Sequence, residues 1–257
     1  MSRRGLNTAT KGARGARGDE AEKPFWISFS DMMTAMMVLF LVVMAVALLA
    51  VTKTVSEKEQ EAVQHQNDID DCMTLAEEAA ELHPGVKVDP KRHVVDFGDR
   101  ARFGFNSAAL TSDQAEVLRT FVPELLYMAR QEACQKVLKR VVVEGYTDQT
   151  GSYLSNLNLS LQRSQRVLCS LLDSQGRFSL SDADKRSVRD LFWVGGFAFN
   201  SAKSTDEESR RVEMRLEFLG LDERKTRPFA SSFEMGSSRS EPRAKDPSDA
   251  NFGKCNF

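Results

Sequence analysis

The chain has 257 residues, of which 41% are hydrophobic and 28% are charged, with a formal net charge of −2. That length allows one membrane span with one or two small domains, and the balanced charge gives no reason to expect nucleic acid as a direct partner. Four widely spaced cysteines and only three histidines make a zinc site unexpected, so we predict neither a bound metal nor a cofactor.

Residues 1–24 form a basic segment in front of the most apolar stretch of the chain. They contain six basic and three acidic residues, and too little apolar surface to fold alone. Because basic residues are retained on the cytoplasmic side of a membrane, this segment predicts a flexible cytoplasmic tail. The rest of the chain is then expected to lie across the inner membrane, in the periplasm of a Gram-negative cell.

Residues 25–52 are predicted to form a transmembrane helix. From Met32 to Val51 the apolar run is interrupted by one polar residue, Thr34. About 1.5 Å of rise per residue gives this run roughly 30 Å, the thickness of a bilayer's hydrocarbon core. The alternative is a cleaved signal peptide with its cleavage site at 45–47, but an apolar run longer than about 15 residues with an acid at its entrance favours the retained span.

Asp31 stands at the entrance of this span. A carboxylate in such a position costs free energy unless it is protonated, paired or facing water, so an acid in a membrane is by default a proton or ion site. We predict that Asp31 carries a transported ion, a proton with Na⁺ as the alternative. The hydroxyls of Ser28, Ser30 and Thr34 lie within about one helical turn of it and are possible neighbours along the ion path.

Residues 53–84 predict a periplasmic linker helix that continues out of the membrane and ends at His83-Pro84-Gly85. Its first part is charged and lacks Gly and Pro. An apolar stripe at three- and four-residue spacing follows, along which two copies can pack: Ile69, Cys72, Ala76, Ala79 and Leu82. Cys72 on this stripe is a candidate for a crosslink between copies, although the sequence leaves disulfide pairing open among Cys72, Cys134, Cys169 and Cys255.

Residues 85–219 predict an α+β domain in which one sheet is covered by helices. β-Branched or alternating patterns indicate the strands, at 86–88, 93–97, a possible one at 101–105, 137–146, 191–194 and 211–219. The remaining residues, 220–257, are charged and contain Ser and Pro, so we expect a disordered C-terminal tail.

Two amphipathic helices are expected in this domain. The first is expected to be capped by Ser112 or Asp113, with a kink or break at Pro123, and the second covers 153–172. Residues 174–189 are polar and are expected to be irregular or to form a short helix.

The most closely spaced group of candidate polar site residues in this domain follows the predicted strand 137–146. Thr147 and Asp148 come directly after this strand, and Arg163 lies at least two turns along the next helix. Asp148 and Arg163 can therefore face each other across a small cleft and complement a zwitterion, with the carboxylate taking an ammonium and the guanidinium a carboxylate. The alternative, equally compatible with the spacing, is that these two side chains pair with each other.

The run EGYTDQTGSYLSNLNLSLQRSQRV resembles the signature of the OmpA-like peptidoglycan-binding domain, G-H/Y-T-D-x-x-G followed by N-x-x-L-S-x-x-R. Residues 209–213, SRRVE, resemble that family's closing N-R-R-V-E, with Ser209 in place of Asn. The resemblance covers about residues 86–219. It implies a β-α-β-α-β-β sandwich that binds the diaminopimelate of the peptidoglycan stem peptide.

The same resemblance implies roles for individual residues. Asp148 and Arg163 would contact the charged groups of the ligand. The residues expected to shape or support the pocket are Thr147, Asn156 and Leu159, together with Arg210 or Arg211.

The run FWISFSDMMTAMMVLFLVVM resembles the membrane helix of the MotB type of stator subunit, which carries one aspartate in a D-x-M-T-x-x-M pattern. Together with an OmpA-like domain it implies a cell-wall-anchored subunit of an ion-driven rotary motor. Within that class the span and the short link to the domain look most like the Zorya anti-phage type. The flagellar MotB type and a static tether between inner membrane and peptidoglycan are the alternatives.

The motor resemblance also implies partners. Two copies of this chain would sit inside a ring of five copies of a MotA- or ZorA-like multi-span subunit, so a homodimer is expected. The charged segment 53–71 is a candidate plug for the ion path, as a comparable segment is in the flagellar family. An enzyme acting on peptidoglycan is not expected, because no catalytic triad, acid pair or metal cluster lies near the cleft in the sequence.

Overall fold

The structure, a computed structural model, describes residues 22–175, 178–226 and 252. Most of the predicted cytoplasmic tail and most of the predicted C-terminal tail lie outside these residues. The chain divides into two compact units, one extending to Glu59 and the other beginning at Gln60.

The first unit consists, in its described part, of the N-terminal portion of helix α1 (Glu22–Glu81). An 18-residue window of α1 has a mean hydropathy of 2.8, and none of it is buried. Many large apolar side chains in this portion are more than half exposed, among them Met36, Phe40 and Met44. By length and composition this helix can cross a membrane, as the sequence predicted.

Helix α1 continues without a break through the predicted linker and ends at Glu81. The turn that follows contains Gly85, whose φ of 93° lies in the left-handed region. Glycine adopts this conformation without a steric penalty, and Pro84 in front of it cannot continue a helix. The predicted end of the linker helix is therefore confirmed.

The apolar stripe of the linker does not serve a second copy, and that prediction was wrong. Ile69, Cys72 and Ala76 are buried in the hydrophobic core of their own domain, whereas Leu82 is 68% exposed. Cys72 is joined to Cys134 of the same chain by a disulfide, so the expected crosslink between copies does not form through it. Cys169 is disulfide-bonded as well.

A five-stranded sheet forms the centre of the second unit. Its order is β1-β2-β5-β3-β4, and every neighbouring pair is antiparallel except β3 and β4, which run parallel. The strands are β1 (Lys87–Asp89), β2 (Val94–Asp96), β3 (Leu138–Gly145), β4 (Phe192–Gly196) and β5 (Val212–Phe218).

Helices connect and cover these strands. They are α2 (Ser112–Ala129), α3 (Glu132–Val137), α4 (Tyr153–Leu172), α5 (Asp182–Leu191), α6 (Asp206–Ser209) and α7 (Leu221–Thr226). Helix α4 packs on β3 and β4, and α2 packs on α4 and α5. The result is the predicted mixed domain of one sheet covered by helices.

Some local predictions need correction. Residues 101–105 do not form a strand; a 3₁₀ turn (Gly98–Ala101) and a single bridge from Arg102 to Arg211 take their place. Residues 221–226 of the predicted disordered tail form α7. The short helix that was one of the two expectations for residues 174–189 is present as α5, which continues to Leu191.

Helix α2 is capped one residue earlier than predicted, by Thr111 rather than by Ser112 or Asp113, and it is not broken by its proline. Thr111 caps it, because the Thr111 hydroxyl accepts from the Gln114 amide while the Gln114 side chain accepts from the Thr111 amide. An interior proline costs a helix about 3 kcal/mol. Burying side chains such as Phe121 and Leu125 completely gives roughly 1.5–3 kcal/mol each, so packing outweighs the effect of Pro123.

Helix α4 lies unusually close to the end of β3, and this closeness positions the site described below. Val141 and Val143 of β3 are fully buried in the core, and Gly145 continues the same alternation. A Cβ atom at Gly145 would lie 1.9 Å from the carbonyl oxygen of Ser160. Only glycine leaves room for the backbone of α4 here, so the helix can place Asn156 and Arg163 beside the loop after β3.

Candidate functional site

The loop after β3 is hydrogen-bonded to the residue just before β5 and to the loop that follows β4. The Tyr146 amide donates to the carbonyl of Arg211 at 3.0 Å, and the Thr147 amide donates to the carbonyl of Ala198 at 2.9 Å. Thr147 and Asp148 are 1% and 5% exposed. The loop is therefore fixed in position where the sequence predicted it, at the C-terminal end of β3.

Asp148 accepts hydrogen bonds on both carboxylate oxygens. Its Oδ1 accepts from the Thr150 amide at 3.0 Å, and its Oδ2 accepts from Nη1 of Arg210 at 3.0 Å. Burial acts to raise the pKa of Asp148, but the hydrogen bonds from Arg210 and Thr150 outweigh it and hold the pKa below its ordinary value. Asp148 is thus an anion at neutral pH, available to a cation.

Arg163 is completely buried and donates to three backbone carbonyls. These are the carbonyl of Tyr146 at 2.6 Å, of Ser107 at 2.9 Å and of Gly104 at 3.2 Å. Burial lowers the pKa of Arg163 to about 10; the neighbouring charge of Arg210 acts in the same direction and that of Asp148 opposes it. Arg163 therefore stays charged at neutral pH and ties the 104–107 loop to the end of β3.

The structure brings Asp148 and Arg163 into one site but does not pair them. Among the described residues, the ion-pair partner of Asp148 is Arg210, whose Nε also donates to the carbonyl of Phe103 at 3.2 Å. Of the two interpretations that the spacing left open, mutual pairing of Asp148 with Arg163 is therefore not observed.

The other predicted pocket residues have distinct surroundings. The side-chain nitrogen of Asn156, Nδ2, donates to the carbonyls of Thr150 at 2.8 Å and Ser152 at 3.3 Å. These two hydrogen bonds connect the loop to the first turn of α4. The buried hydroxyl of Thr147 has no hydrogen-bond partner among the described residues. Leu159 is half-buried on α4.

Arg211 lies next to Arg210 but makes different contacts. Its Nε donates to Glu213 at 2.7 Å, its Nη1 donates to the carbonyl of Ser201 at 3.2 Å, and its guanidinium lies 4.3 Å from the ring centroid of Tyr146. Arg211 thus supports the site indirectly, through Tyr146. Ser209, which departs from the family pattern, is buried and donates to the carbonyl of Thr205 at 2.8 Å.

Sequence reasoning missed the 103–107 loop. It supplies the three carbonyls of Phe103, Gly104 and Ser107 to the two site arginines. Every residue has a backbone carbonyl, so the sequence does not indicate which carbonyls accept hydrogen bonds from the site arginines. The one available hint was the Gly104 and Asn106 pair, since both residue types favour turns and Asn106 has a φ of 48°.

The second predicted site lies in the first unit, on α1. Asp31 is exposed and borders a shallow groove that includes Thr34, Ala35 and Val38. The Thr34 hydroxyl donates to the carbonyls of Ser30 at 3.0 Å and Asp31 at 2.9 Å. Its lone pairs therefore remain available as acceptors beside Asp31.

Ser28 and Ser30 are exposed on the same part of α1. The structure thus places the four predicted ion-path residues within two turns of one helix. Their role in ion transport stays a prediction.

Comparison with known families identifies both segments. Residues 102–211 match the model of the OmpA family, and residues 10–64 match the model described as membrane MotB of the proton-channel complex MotA/MotB. The predicted OmpA-like fold class is thereby confirmed, and the chain is a MotB-like protein with an OmpA-family domain.

Zorya protein ZorB of Escherichia coli O139:H28 (strain E24377A / ETEC) is 43% identical over 217 residues, covering 83% of this chain and 88% of the relative. The chain belongs to the ZorB family. In keeping with that family, it is not an enzyme, as the sequence predicted.

Solved structures give weaker likenesses. The periplasmic domain of Helicobacter pylori MotB is 15% identical with a TM-score of 0.40, covering 57% of this chain and 88% of that chain. The OmpA-like domain of FopA1 from Francisella tularensis subsp. tularensis SCHU S4 is 18% identical with a TM-score of 0.34, covering 52% and 82%.

Proposed function

We propose that this chain is the cell-wall-anchored subunit of an ion-driven rotary motor in the inner membrane, acting in anti-phage defence. The strongest support for this proposal is that one chain combines an acid-bearing apolar helix with a charged cluster in an OmpA-family domain. The exposed apolar portion of helix α1 carries Asp31, and an OmpA-family domain carries the largely buried cluster of Asp148, Arg163 and Arg210. The first feature suits ion transport, and the second suits anchorage to a zwitterionic ligand.

The domain is proposed to bind the diaminopimelate of the peptidoglycan stem. Each carboxylate oxygen of Asp148 accepts one described hydrogen bond and can accept another, which leaves capacity for the ligand's ammonium. Arg163 donates to three carbonyls and stays charged, and we propose that its positive charge attracts the ligand's carboxylate. Thr147, Asn156 and Leu159 would shape the pocket around these charges.

Asp31 is proposed to load and release a proton, with Na⁺ as the alternative ion. Protonation removes the desolvation cost of a carboxylate in an apolar environment, so loading changes which packing against a partner is preferred. The membrane potential supplies about 2.3 kcal/mol per elementary charge per 100 mV, which can drive such a step. Ser28, Ser30 and Thr34 would line the path.

The assembly we propose contains two copies of this chain within five copies of a MotA- or ZorA-like multi-span subunit. The N-terminus lies in the cytoplasm and the OmpA-family domain in the periplasm. The wall-bound domains hold the dimer still, so that the ring turns around it.

Phage plating on cells that carry this gene with its neighbouring genes tests the proposal. Asp31→Asn keeps the shape of the side chain but cannot exchange a proton. Asp71→Asn, at an exposed position of the same helix, is the matched control. We expect wild type and Asp71→Asn to protect against phage and Asp31→Asn not to protect.

Other outcomes of the plating assay would contradict the proposal. Equal protection by Asp31→Asn and wild type would favour the static tether. Absence of protection, in cells whose swimming depends on the gene, would favour the flagellar stator.

A further inference from the structure

The sheet of the second unit has two edges that differ in how well they are protected. The β1 edge is three residues long and carries a charged residue at each end, Lys87 and Asp89. Short edge strands with charged side chains resist pairing with another strand. Strand β4 is the opposite edge, and its five residues, FWVGG, include no charged residue and no proline. The β4 edge therefore lacks the features that keep an edge strand unpaired.

Backbone groups on the outer side of β4 are available for pairing. The Phe197 amide donates to the carbonyl of Gly145 on β3, and successive residues of a strand direct their backbone groups to opposite sides. The odd-numbered residues of β4 therefore face β3, whereas Val194 and Gly196 direct their N–H and C=O groups outward. On that side neither residue makes a hydrogen bond within the described part of the chain.

The sequence of β4 is complementary to a second copy of itself. In an antiparallel pair centred on Val194, the two Val194 residues exchange both backbone hydrogen bonds. Trp193 then lies opposite Gly195 of the other copy, on the same face of the sheet. The ring of Phe197 covers that glycine, since a Cβ atom at Gly195 would lie 2.8 Å from it. The pair thus brings two aromatic rings together on each side of a two-fold axis, as a symmetric dimer requires.

Trp193 is the exposed aromatic residue of this edge. It is 56% exposed, and the guanidinium of Arg140 lies 3.8 Å from the centroid of its ring. Arg140 is itself fixed by Glu217, whose carboxylate accepts a hydrogen bond from Arg140 Nε. Because the indole is already held by Arg140, contact with a partner costs little further side-chain entropy. Tryptophan and arginine are also enriched among the residues that dominate protein interfaces.

We propose that the β4 edges of two copies pair antiparallel and join their sheets, so that this edge is the dimer surface of the second unit. The inference rests on the two copies in the proposed assembly. Most of the linker's apolar stripe, which was expected to pack two copies, is buried in its own domain. The β4 edge instead offers a second copy unpaired backbone groups, an exposed aromatic ring and no charge that would oppose the contact.

Cysteine crosslinking in membranes tests the pairing. Val194→Cys places two thiols on the two-fold axis at a Cα–Cα distance of about 5.5 Å, within the range of a disulfide. Val88→Cys is the matched control, because Val88 is a half-buried valine of the same sheet but lies on the β1 edge. The full chain is expressed with its neighbouring genes, and the membranes are oxidised with copper phenanthroline. On a non-reducing gel, Val194→Cys is expected to give about tenfold more dimer than Val88→Cys.

A substitution of Trp193 assigns the crosslink to the edge itself. In the Val194→Cys background, Trp193→Glu puts a charge on the edge while giving Arg140 a new partner, and charged edges oppose pairing. This variant is expected to lower the dimer yield about tenfold. Tyr127→Glu is the control, because Tyr127 is similarly exposed, at 64%, but lies on α2. It should leave the dimer yield unchanged.

Other outcomes would overturn the inference. Equal dimer yields from Val194→Cys and Val88→Cys would indicate only that two copies are close, and an unchanged yield in Trp193→Glu would exclude the edge. A Val194→Cys crosslink to a different protein would assign the edge to another partner. The number of copies in the purified wild-type complex separates the two proposals. Two copies without a Val194→Cys crosslink refute the β4 edge alone, whereas a single copy refutes the two-copy assembly as well.

Discussion

The two aspartates of interest lie in opposite surroundings. Asp148 is almost completely buried and is held by Arg210 and by the amide of Thr150. Asp31 is exposed on an apolar helix, and among the described residues no cation pairs with it. The charged groups of the proposed wall-binding site are therefore paired within one chain, whereas we propose that Asp31 finds its partners in other subunits. Substitutions in the domain should therefore change its stability or its ligand binding. Substitutions of Asp31 should instead change the activity of the assembled complex.

The largest stability effect is expected from removing the disulfide of the second unit. Cys72 and Cys134 close a segment with a sequence separation of 62. For a loop of this length the chain-entropy model gives about 4 kcal/mol of stabilisation. The variant with both Cys72→Ser and Cys134→Ser should lose that much unfolding free energy, as measured by denaturant titration of the full chain in detergent.

Non-reducing gels of oxidised membranes complete this test. A Cys72–Cys134 bridge within the chain predicts no dimer band that depends on Cys72. A dimer band that disappears in Cys72→Ser would contradict the pairing.

A somewhat smaller loss is expected from Gly145→Ala. The new Cβ would meet the backbone of Ser160 at 1.9 Å, and the backbone of α4 cannot move aside as a side chain can. We expect the domain to lose about 3 kcal/mol of unfolding free energy, together with wall binding. Gly220→Ala, which has no atom within 4 Å of its Cβ, is the control and should be unaffected. Equal stability of the two variants would refute the close packing of α4.

Asp148→Asn should act on binding more than on the fold. It removes the charge that we propose holds the ligand's ammonium, and a hydrogen bond to a charged group is worth roughly 1.5–3 kcal/mol, or about ten- to a hundredfold in affinity. The measurement is a pull-down of the full chain with purified cell wall. Asp99→Asn is the control, since Asp99 pairs with Arg102 but is largely exposed. Unchanged pull-down of Asp148→Asn would exclude the assigned pocket.

The smallest effect is expected from Thr147→Val, which keeps the shape of the side chain and removes its hydroxyl. Because this hydroxyl has no partner among the described residues, its loss should leave the unfolding free energy unchanged or raise it by up to about 1 kcal/mol. If Thr147 only shapes the pocket, wall binding stays within about twofold. A tenfold loss of binding would instead mean that the hydroxyl contacts the ligand.

Features encoded locally were predictable from the sequence. The amphipathic pattern gave α4 its observed bounds, Tyr153–Leu172, and the strand before Asp148 placed that residue at the end of β3. The turn at His83-Pro84-Gly85 ended the linker helix for a reason that involves only neighbouring residues. In each case the determining interactions span a few positions of the chain.

Features that depend on distant contacts were not predictable. Arg210 is 62 positions from Asp148, and nothing in the sequence tells which of the two consecutive arginines, Arg210 or Arg211, reaches it. The face of the linker helix that contains Cys72 has the same apolar pattern whether it packs on its own domain or on a second copy. Tertiary packing decides both, so the ion pair and the disulfide appear only in the structure.

The most direct test of the central proposal is proton entry into cells during phage challenge, followed with a cytoplasmic pH reporter. The cells carry the gene with its neighbours, as wild type, Asp31→Asn or Asp71→Asn. The account predicts acidification in wild type and Asp71→Asn, and none in Asp31→Asn even though the protein remains in the membrane and bound to the wall. Equal acidification in all three would contradict a proton-carrying role of Asp31.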